Sequence, residues 1–206
     1  MQHKLAQTTD RIIRNNLNAW LSQATPDQVK SGKAWYKDAQ SFCRKMSKKY
    51  NVDRYKVAAV VSCLSPNNKW ERNKIDAEQL IKSYHAGESL DSFKVCTYNA
   101  NKHKAWRVLG EDEQDGTYIS AKSPKTHAFA MNVGRLSRNH VTIDKWHLRA
   151  CLCKPKDGIT ETQESCTEIQ YRRVEALTNE IAENKGLKSY ELQAIIWVTI
   201  KEAWGR

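Results

Sequence analysis

Apolar residues recur every three or four positions along most of this chain, the period of an amphipathic helix. From Thr9 to Ser22, Ile12, Ile13, Leu17, Trp20 and Leu21 form one stripe. In "TPDQVKSGKAWYKDAQSFCRKMSKKYN", Trp35, Ala39, Phe42, Cys43 and Met46 carry the pattern to near Asn51. Both segments are expected to be packing helices. "VDRYKVAAVVSCLSPNN" follows, with Asp53 as its N-cap and Val57, Ala58, Val60, Val61 and Leu64 dense enough in apolar surface for a central helix. Pro66 disfavours helical geometry at Ser65 and so places a turn there. "WERNKIDAEQLIKSYHAG" resumes the helix with Ile75, Leu80, Ile81 and Tyr84 inward, and Gly87 stops it.

After a polar connection, "NANKHKAWRVLGE" reads as a short basic helix. "TYISAKSPKTHAFAMNV" reads as a turn feeding a helix, and "HVTIDKWHLRACLC" as an apolar approach to Asp144 followed by another helix. Two long helical patterns, Ser165 to Lys185 and Ser189 to Trp204, close the chain. "HVTID" is too short to imply a sheet, Gly and Pro are scarce, and the expected class is all-α. With 206 residues, no internal repeat and no flexible linker, a single domain of ordinary size is expected.

Charge narrows the function. Lys and Arg total 34 against 23 Asp and Glu, a net +11 that attracts polyanions. Nucleic acid is the first partner this suggests; a merely soluble basic protein is the alternative. The N-terminal stretch lacks the apolar core of a signal peptide, and no apolar run approaches the roughly 20 residues that span a bilayer. A soluble, cytoplasmic protein without a membrane partner is expected. Cys43, Cys63, Cys96, Cys151, Cys153 and Cys166 show no CxxC pair and no zinc or iron-sulfur spacing, and the histidines share no metal-ligand spacing. Free thiols in a reducing compartment, no metal and no cofactor are the expectation.

Three stretches carry candidate chemistry: "CLSPNNKWERNK", "ISAKSPKTHAF" and "VTIDKWHLRA". In order and spacing they resemble the helix-hairpin-helix superfamily of DNA glycosylases, of the endonuclease III and adenine-glycosylase kind. That family has a central helix ending in "LLSAQ", a hairpin of the form "LPGVGRKTA" and a catalytic aspartate in "VDTHV". The resemblance runs from about Asp53 to Cys151, and Lys125 and Asp144 are separated by nearly the same distance as the family's lysine and aspartate. It implies two helical lobes around a central cleft: residues 53–136 carrying wedge and hairpin, and residues 1–52 with 137–206 forming the second. Lys125 and Asp144 would then face each other across the mouth.

The resemblance assigns roles residue by residue. Asp144 would stabilise positive charge on the sugar as the base departs, or activate the nucleophile, because an oxocarbenium-like transition state needs an anion. Taken alone Asp144 reads first as an ordinary N-cap before "KWHLRA", and its spacing from Lys125 is what turns the reading to the catalytic role. Lys125 sits where bifunctional members keep a Schiff-base lysine; a phosphate-contacting or solvated lysine is the alternative. Asn67 aligns with the glutamine that enters the duplex and fills the hole left by the flipped nucleotide, with Asn68 beside it. Lys69, Trp70 and Arg72 would add cations and a stacking surface. The plain alternative for the turn is an Asx cap made by Asn67 for the helix at Trp70. Lys122, Ser123 and Thr126 would meet DNA phosphate at the hairpin, and Arg149 occupies the family's arginine position.

The chain departs from the pattern twice. Ala121 and Ser123, followed by Pro124, replace the hairpin glycines, and Trp146 with His147 replaces the histidine two positions after the aspartate. The function this implies is a monomeric enzyme that binds double-stranded DNA, flips a base and cleaves its N-glycosidic bond, with lyase activity if Lys125 is nucleophilic. A base-modifying transferase acting on hypermodified thymine and a non-catalytic DNA-binding protein on the same fold are the alternatives.

Overall fold

The computed structural model describes residues 4–110, 118–157 and 163–204. Glu111 and Thr117, each at one end of a segment quoted above, lie outside them. Among the described residues all regular structure is helical and there is no strand, so the class is all-α. The chain divides into two compact units, one of Met1–Lys37 with Ser137–Arg206 and one of Asp38–Leu136.

In the first unit, α1 (Lys4–Gln7) precedes α2 (Asp10–Gln23), which begins where the Thr9 hydroxyl accepts from the Ile12 N–H. Helix α3 (Pro26–Tyr50) starts here and continues past Lys37. The described residues of this unit also hold α8 (Lys145–Leu152), a short 3-10 helix at Pro155–Asp157, α9 (Glu168–Asn184) and α10 (Ser189–Ala203). The core is built by Ile13, Leu17 and Trp20 of α2 against Leu148 of α8 and Leu192 and Ile195 of α10, all at or near full burial. Two side chains of α2 satisfy backbone carbonyls at the end of α8 that have no partner within that helix: Asn16 Nδ2 donates to Cys151 O at 2.8 Å and Trp20 Nε1 to Cys153 O at 2.7 Å. Gly32 in α3 lies so close to α10 that a Cβ there would stand 2.6 Å from the Ile195 backbone.

Among its described residues the second unit holds the remainder of α3, the α-helices α4 (Arg54–Cys63), α5 (Trp70–His85), α6 (Asn99–Gly110) and α7 (Pro124–Val133), and a short 3-10 helix at Leu90–Ser92. Helix α4 is buried on every side from Val57 to Cys63, which is why its residues show almost no amphipathic contrast, and α5, α6 and α7 all pack on it. Asp53 caps it as expected, Oδ1 accepting from the N–H groups of Tyr55 and Lys56 at 2.7 and 3.2 Å. Helix α5 stops at His85, and Gly87 takes φ +67°, the left-handed geometry a helix-ending glycine provides.

Two apolar residues placed inward by the periodicity lie outward instead. Ile12 is 43% and Ile75 58% exposed. On α2 the buried line runs through Ile13, Leu17 and Trp20, and Ile12 lies one position off it. On α5 two polar side chains, Asn73 and Asp76, take inward positions that the apolar count assigned to Ile75. The helix expected from Ser165 begins at Glu168, where Thr167 and Gln170 form a reciprocal capping box.

Candidate functional site

The turn between α4 and α5 is built by its own side chains. Ser65 Oγ donates to Ser62 O at 3.0 Å, and the Asn68 N–H donates to Ser65 O at 3.1 Å. Asn67 occupies the apex with φ +56°, a left-handed geometry that asparagine tolerates better than most residues. Its side chain is exposed and donates through Nδ2 to the Tyr98 hydroxyl at 2.8 Å. It is not the cap of α5, which begins at Trp70 with Lys69 as an N-cap residue that makes no side-chain cap bond.

Asn68 turns inward and holds the turn from below. Its Nδ2 donates to Leu64 O at 3.3 Å and to Asp76 Oδ2 at 2.9 Å. Asp76 is 1% exposed and also accepts from Arg72 Nε and from the Cys96 N–H, each at 2.8 Å. This buried carboxylate therefore ties the turn, the first two turns of α5 and the segment before α6 together. Trp70 is half-buried, edge-on to Phe42 at 6.1 Å, with Lys74 Nζ over its ring at 5.7 Å. Lys69 and Arg72 are exposed.

Helix α7 begins at Pro124, whose missing N–H and fixed φ suit the first helical position. Before it, Ser120 to Ser123 form a tight turn, the Ser123 N–H donating to Ser120 O at 2.9 Å and the Lys122 N–H to Ser120 Oγ at 3.2 Å. Lys122, Ser123 and Lys125 are exposed and Thr126 is half-buried. Ser62 Oγ on α4 donates to Thr126 O at 2.6 Å, which locks the start of α7 to the helix carrying the Asn67 turn. A pocket of about 220 Å³ opens beside this lock, with Cys63 and Pro66 from the α4 side, Ser123 and Thr126 from α7, and Lys104 and Arg107 from α6. By sequence alone α6 reads only as a short basic helix. The signal for its pocket residues was the repeat Asn101, Lys104, Arg107, which puts all three on one helix face.

Asp144 and Arg149 belong to the other unit. Asp144 caps α8, Oδ1 accepting from the N–H groups of Trp146 at 3.0 Å and His147 at 2.9 Å. The extended stretch before it, Val141 to Ile143, is buried without a sheet partner. Its backbone is satisfied by side chains of α9 instead: Glu175 Oε1 accepts from the Val141 N–H at 3.1 Å, and the Tyr171 hydroxyl donates to Val141 O at 2.6 Å and accepts from the Ile143 N–H at 3.3 Å. Tyr36 adds a third anchor. Its hydroxyl lies within hydrogen-bond distance of the Thr142 hydroxyl, at 3.0 Å, and of Gln193 Oε1, at 3.1 Å. Asp144 is thus held on a rigid mount by residues that spacing alone could not reveal. Arg149 is 8% exposed, with its guanidinium 4.7 Å over the Trp146 ring and 3.4 Å from Glu164.

A family model described as a family of unknown function, DUF7178, matches residues 1–204. The chain belongs to the DUF7178 family. No curated protein and no solved structure matches it.

Four thiols of this DUF7178 member, Cys43, Cys63, Cys151 and Cys166, are held in the neutral form by burial. Burial pushes Cys43 up to about 12 and Cys63 up to about 11, and raises Cys151 and Cys166 as well. Metal binding and thiolate chemistry need the opposite shift. Among the described residues no three His, Cys, Asp or Glu side chains stand together as a metal site. No described helix is long and apolar enough to cross a membrane. His147, beside the catalytic candidate, is fully buried and its pKa falls to about 4 through loss of hydration, so it is a neutral packing residue.

Proposed function

We propose that this DUF7178 protein binds double-stranded DNA through the Asn67 turn and the start of α7, flips a nucleotide and acts at its glycosidic bond. The observation that carries the reading is the Ser62 to Thr126 hydrogen bond. It ties α4, which ends at the Asn67 turn, to the start of α7, and Asn67, Lys69, Lys122 and Lys125 are all exposed on these segments. An amide held at the apex of a turn in left-handed geometry can enter a duplex without first being ordered, and the surrounding cations offset phosphate charge.

In this reading Asp144 acts on the sugar. As the bond from C1′ to the base nitrogen breaks, the base leaves with the electron pair and positive charge develops on the ring, which a half-buried carboxylate stabilises more strongly than one in water. Should the Lys125 amine attack C1′, the ring opens to an imine that borohydride reduces to a permanent cross-link. A second reading, a DNA-binding protein without turnover, is favoured by the ordinary N-cap bonds of Asp144.

A duplex panel containing uracil, oxidised, alkylated, mismatched and hypermodified bases tests the choice. Abasic sites or borohydride-trapped adducts that vanish in Asp144→Asn support base release. A mass change on a retained base indicates a transferase instead. Duplex binding with neither product indicates the non-catalytic protein, and affinity that does not fall between low and physiological salt removes DNA as the partner.

A further inference from the structure

The pocket beside α7 combines cations and hydroxyls with an apolar lining from Pro66, Val108 and Ile119. Lys104 and Arg107 stand one helical turn apart on α6, and the hydroxyl residues Ser120, Ser123 and Thr126 line it from the hairpin side. None of its lining residues is acidic. Neither cation has a salt bridge or hydrogen bond to spare it from solvent among the described residues. Both nevertheless act on the pocket floor: their charge works against the burial that raises the Cys63 thiol, which is 6% exposed. The first turn of α7 adds its positive end, since Ser123 makes no side-chain cap bond there.

Such a wall set selects its ligand by chemistry. A guanidinium fork, an ammonium and several hydroxyls offer more donors than one carboxylate can accept, whereas a phosphate presents three or four oxygens to them. Size limits the rest. At about 220 Å³ the pocket is several times a water molecule's roughly 30 Å³ share, yet below the roughly 300–1,000 Å³ of sites that enclose drug-sized ligands. That suits a phosphate with its attached sugar and is too small for a dinucleotide.

We propose that this pocket binds a phosphate monoester of a nucleotide, clamped by Lys104 and Arg107. The phosphate belongs either to a free mononucleotide or to a phosphorylated DNA strand end. The inference goes beyond the glycosylase reading, because neither Asn67 nor Asp144 lines the pocket.

Titration calorimetry on the full chain tests it, with dTMP, thymidine, and single-stranded oligonucleotides bearing a 5′-phosphate or a 5′-hydroxyl as probes. The expected result is binding of dTMP or of the 5′-phosphorylated strand in preference to its unphosphorylated counterpart, weakened about tenfold or more in Lys104→Gln/Arg107→Gln. The charge-matched Lys30→Gln/Lys33→Gln, on α3, is expected to bind as the parent does. Preference for the strand end identifies DNA as the source, and preference for dTMP the free nucleotide. Equal binding of thymidine and dTMP with equal binding of the two strands, equal losses in both double variants, or no binding of any phosphate compound would overturn the proposal. Base release from the duplex panel, measured on the same variant, is unaffected by any of these failures and reports separately on the glycosylase reading.

Discussion

His147 Nε2 lies 3.0 Å from the Thr178 hydroxyl oxygen, and that hydroxyl donates its own proton to Val174 O at 2.8 Å. Thr178 can therefore only accept from the ring, which fixes the proton of the neutral imidazole on Nε2. Nδ1 is buried with no hydrogen-bond partner among the described residues, so a second proton there would have no acceptor. This accounts for a folded-state pKa of about 4.

The consequence is a stability that depends on pH. In the unfolded chain the imidazole titrates near 6.5, so the unfolded state takes up the proton first as pH falls. The contribution of neutral His147 is complete above about pH 6.5 and is lost as pH drops towards 4, about 3 kcal/mol over the whole window. Denaturant unfolding at pH 7 and pH 5 should reveal about 2 kcal/mol of this loss. His147→Gln, which keeps a donor for Thr178 but cannot titrate, should flatten that difference; an unchanged slope would assign the acid sensitivity to other groups.

Asn67 offers a separation of backbone from side chain. Because its φ is +56° and it caps nothing, Asn67→Ala should cost about 1 kcal/mol through left-handed strain, and Asn67→Gly should cost less than that. If the amide enters the duplex, both variants lose base flipping, followed by the fluorescence of 2-aminopurine placed at the target. Flipping that survives in Asn67→Gly would remove the side chain from the mechanism.

Asp144 is both a cap and the catalytic candidate, and two substitutions part these roles. Asp144→Asn retains an oxygen for the Trp146 and His147 N–H groups and should change stability by a few tenths of a kcal/mol, while Asp144→Ala should cost about 1 kcal/mol. Base release should fall by orders of magnitude in both. Equal activity in the parent and Asp144→Asn would leave only the structural role.

Asp76 is the hub of the α4–α5 turn. Asp76→Ala leaves the Cys96 N–H without its acceptor and the Asn68 amide with only Leu64 O, and should cost about 2–3 kcal/mol. Amide exchange should rise at Asn68 and Cys96 while the middle of α4 stays protected. A loss of protection spread evenly over the unit would mean that Asp76 supports the fold and not the turn in particular.

Much of the fold was legible in the residues. The three-to-four-residue period marked α2, α3 and α5 because each must bury an apolar stripe, apolar density marked α4, and Thr9, Asp53, Pro66 and Gly87 punctuated them through local backbone geometry that needs no distant partner. Ile12 and Ile75 escaped, since period alone cannot say which edge of a stripe meets its neighbour. Asn68 and Asp76 escaped for the converse reason: polar side chains go inside only where specific partners await them.

The candidate site divides along the same line. Sequence by itself determined the all-helical class, the net positive charge, the apex asparagine and the cap at Asp144, all consequences of composition or of contacts a few residues long. Only tertiary structure decided that Ser62 would lock α4 to α7, that Tyr171, Glu175 and Tyr36 would brace Val141 to Ile143, and that Lys104 and Arg107 would share a pocket with Ser123 and Thr126. Those pairings join residues far apart in the chain, and burial makes each depend on where whole helices pack, which no local spacing encodes.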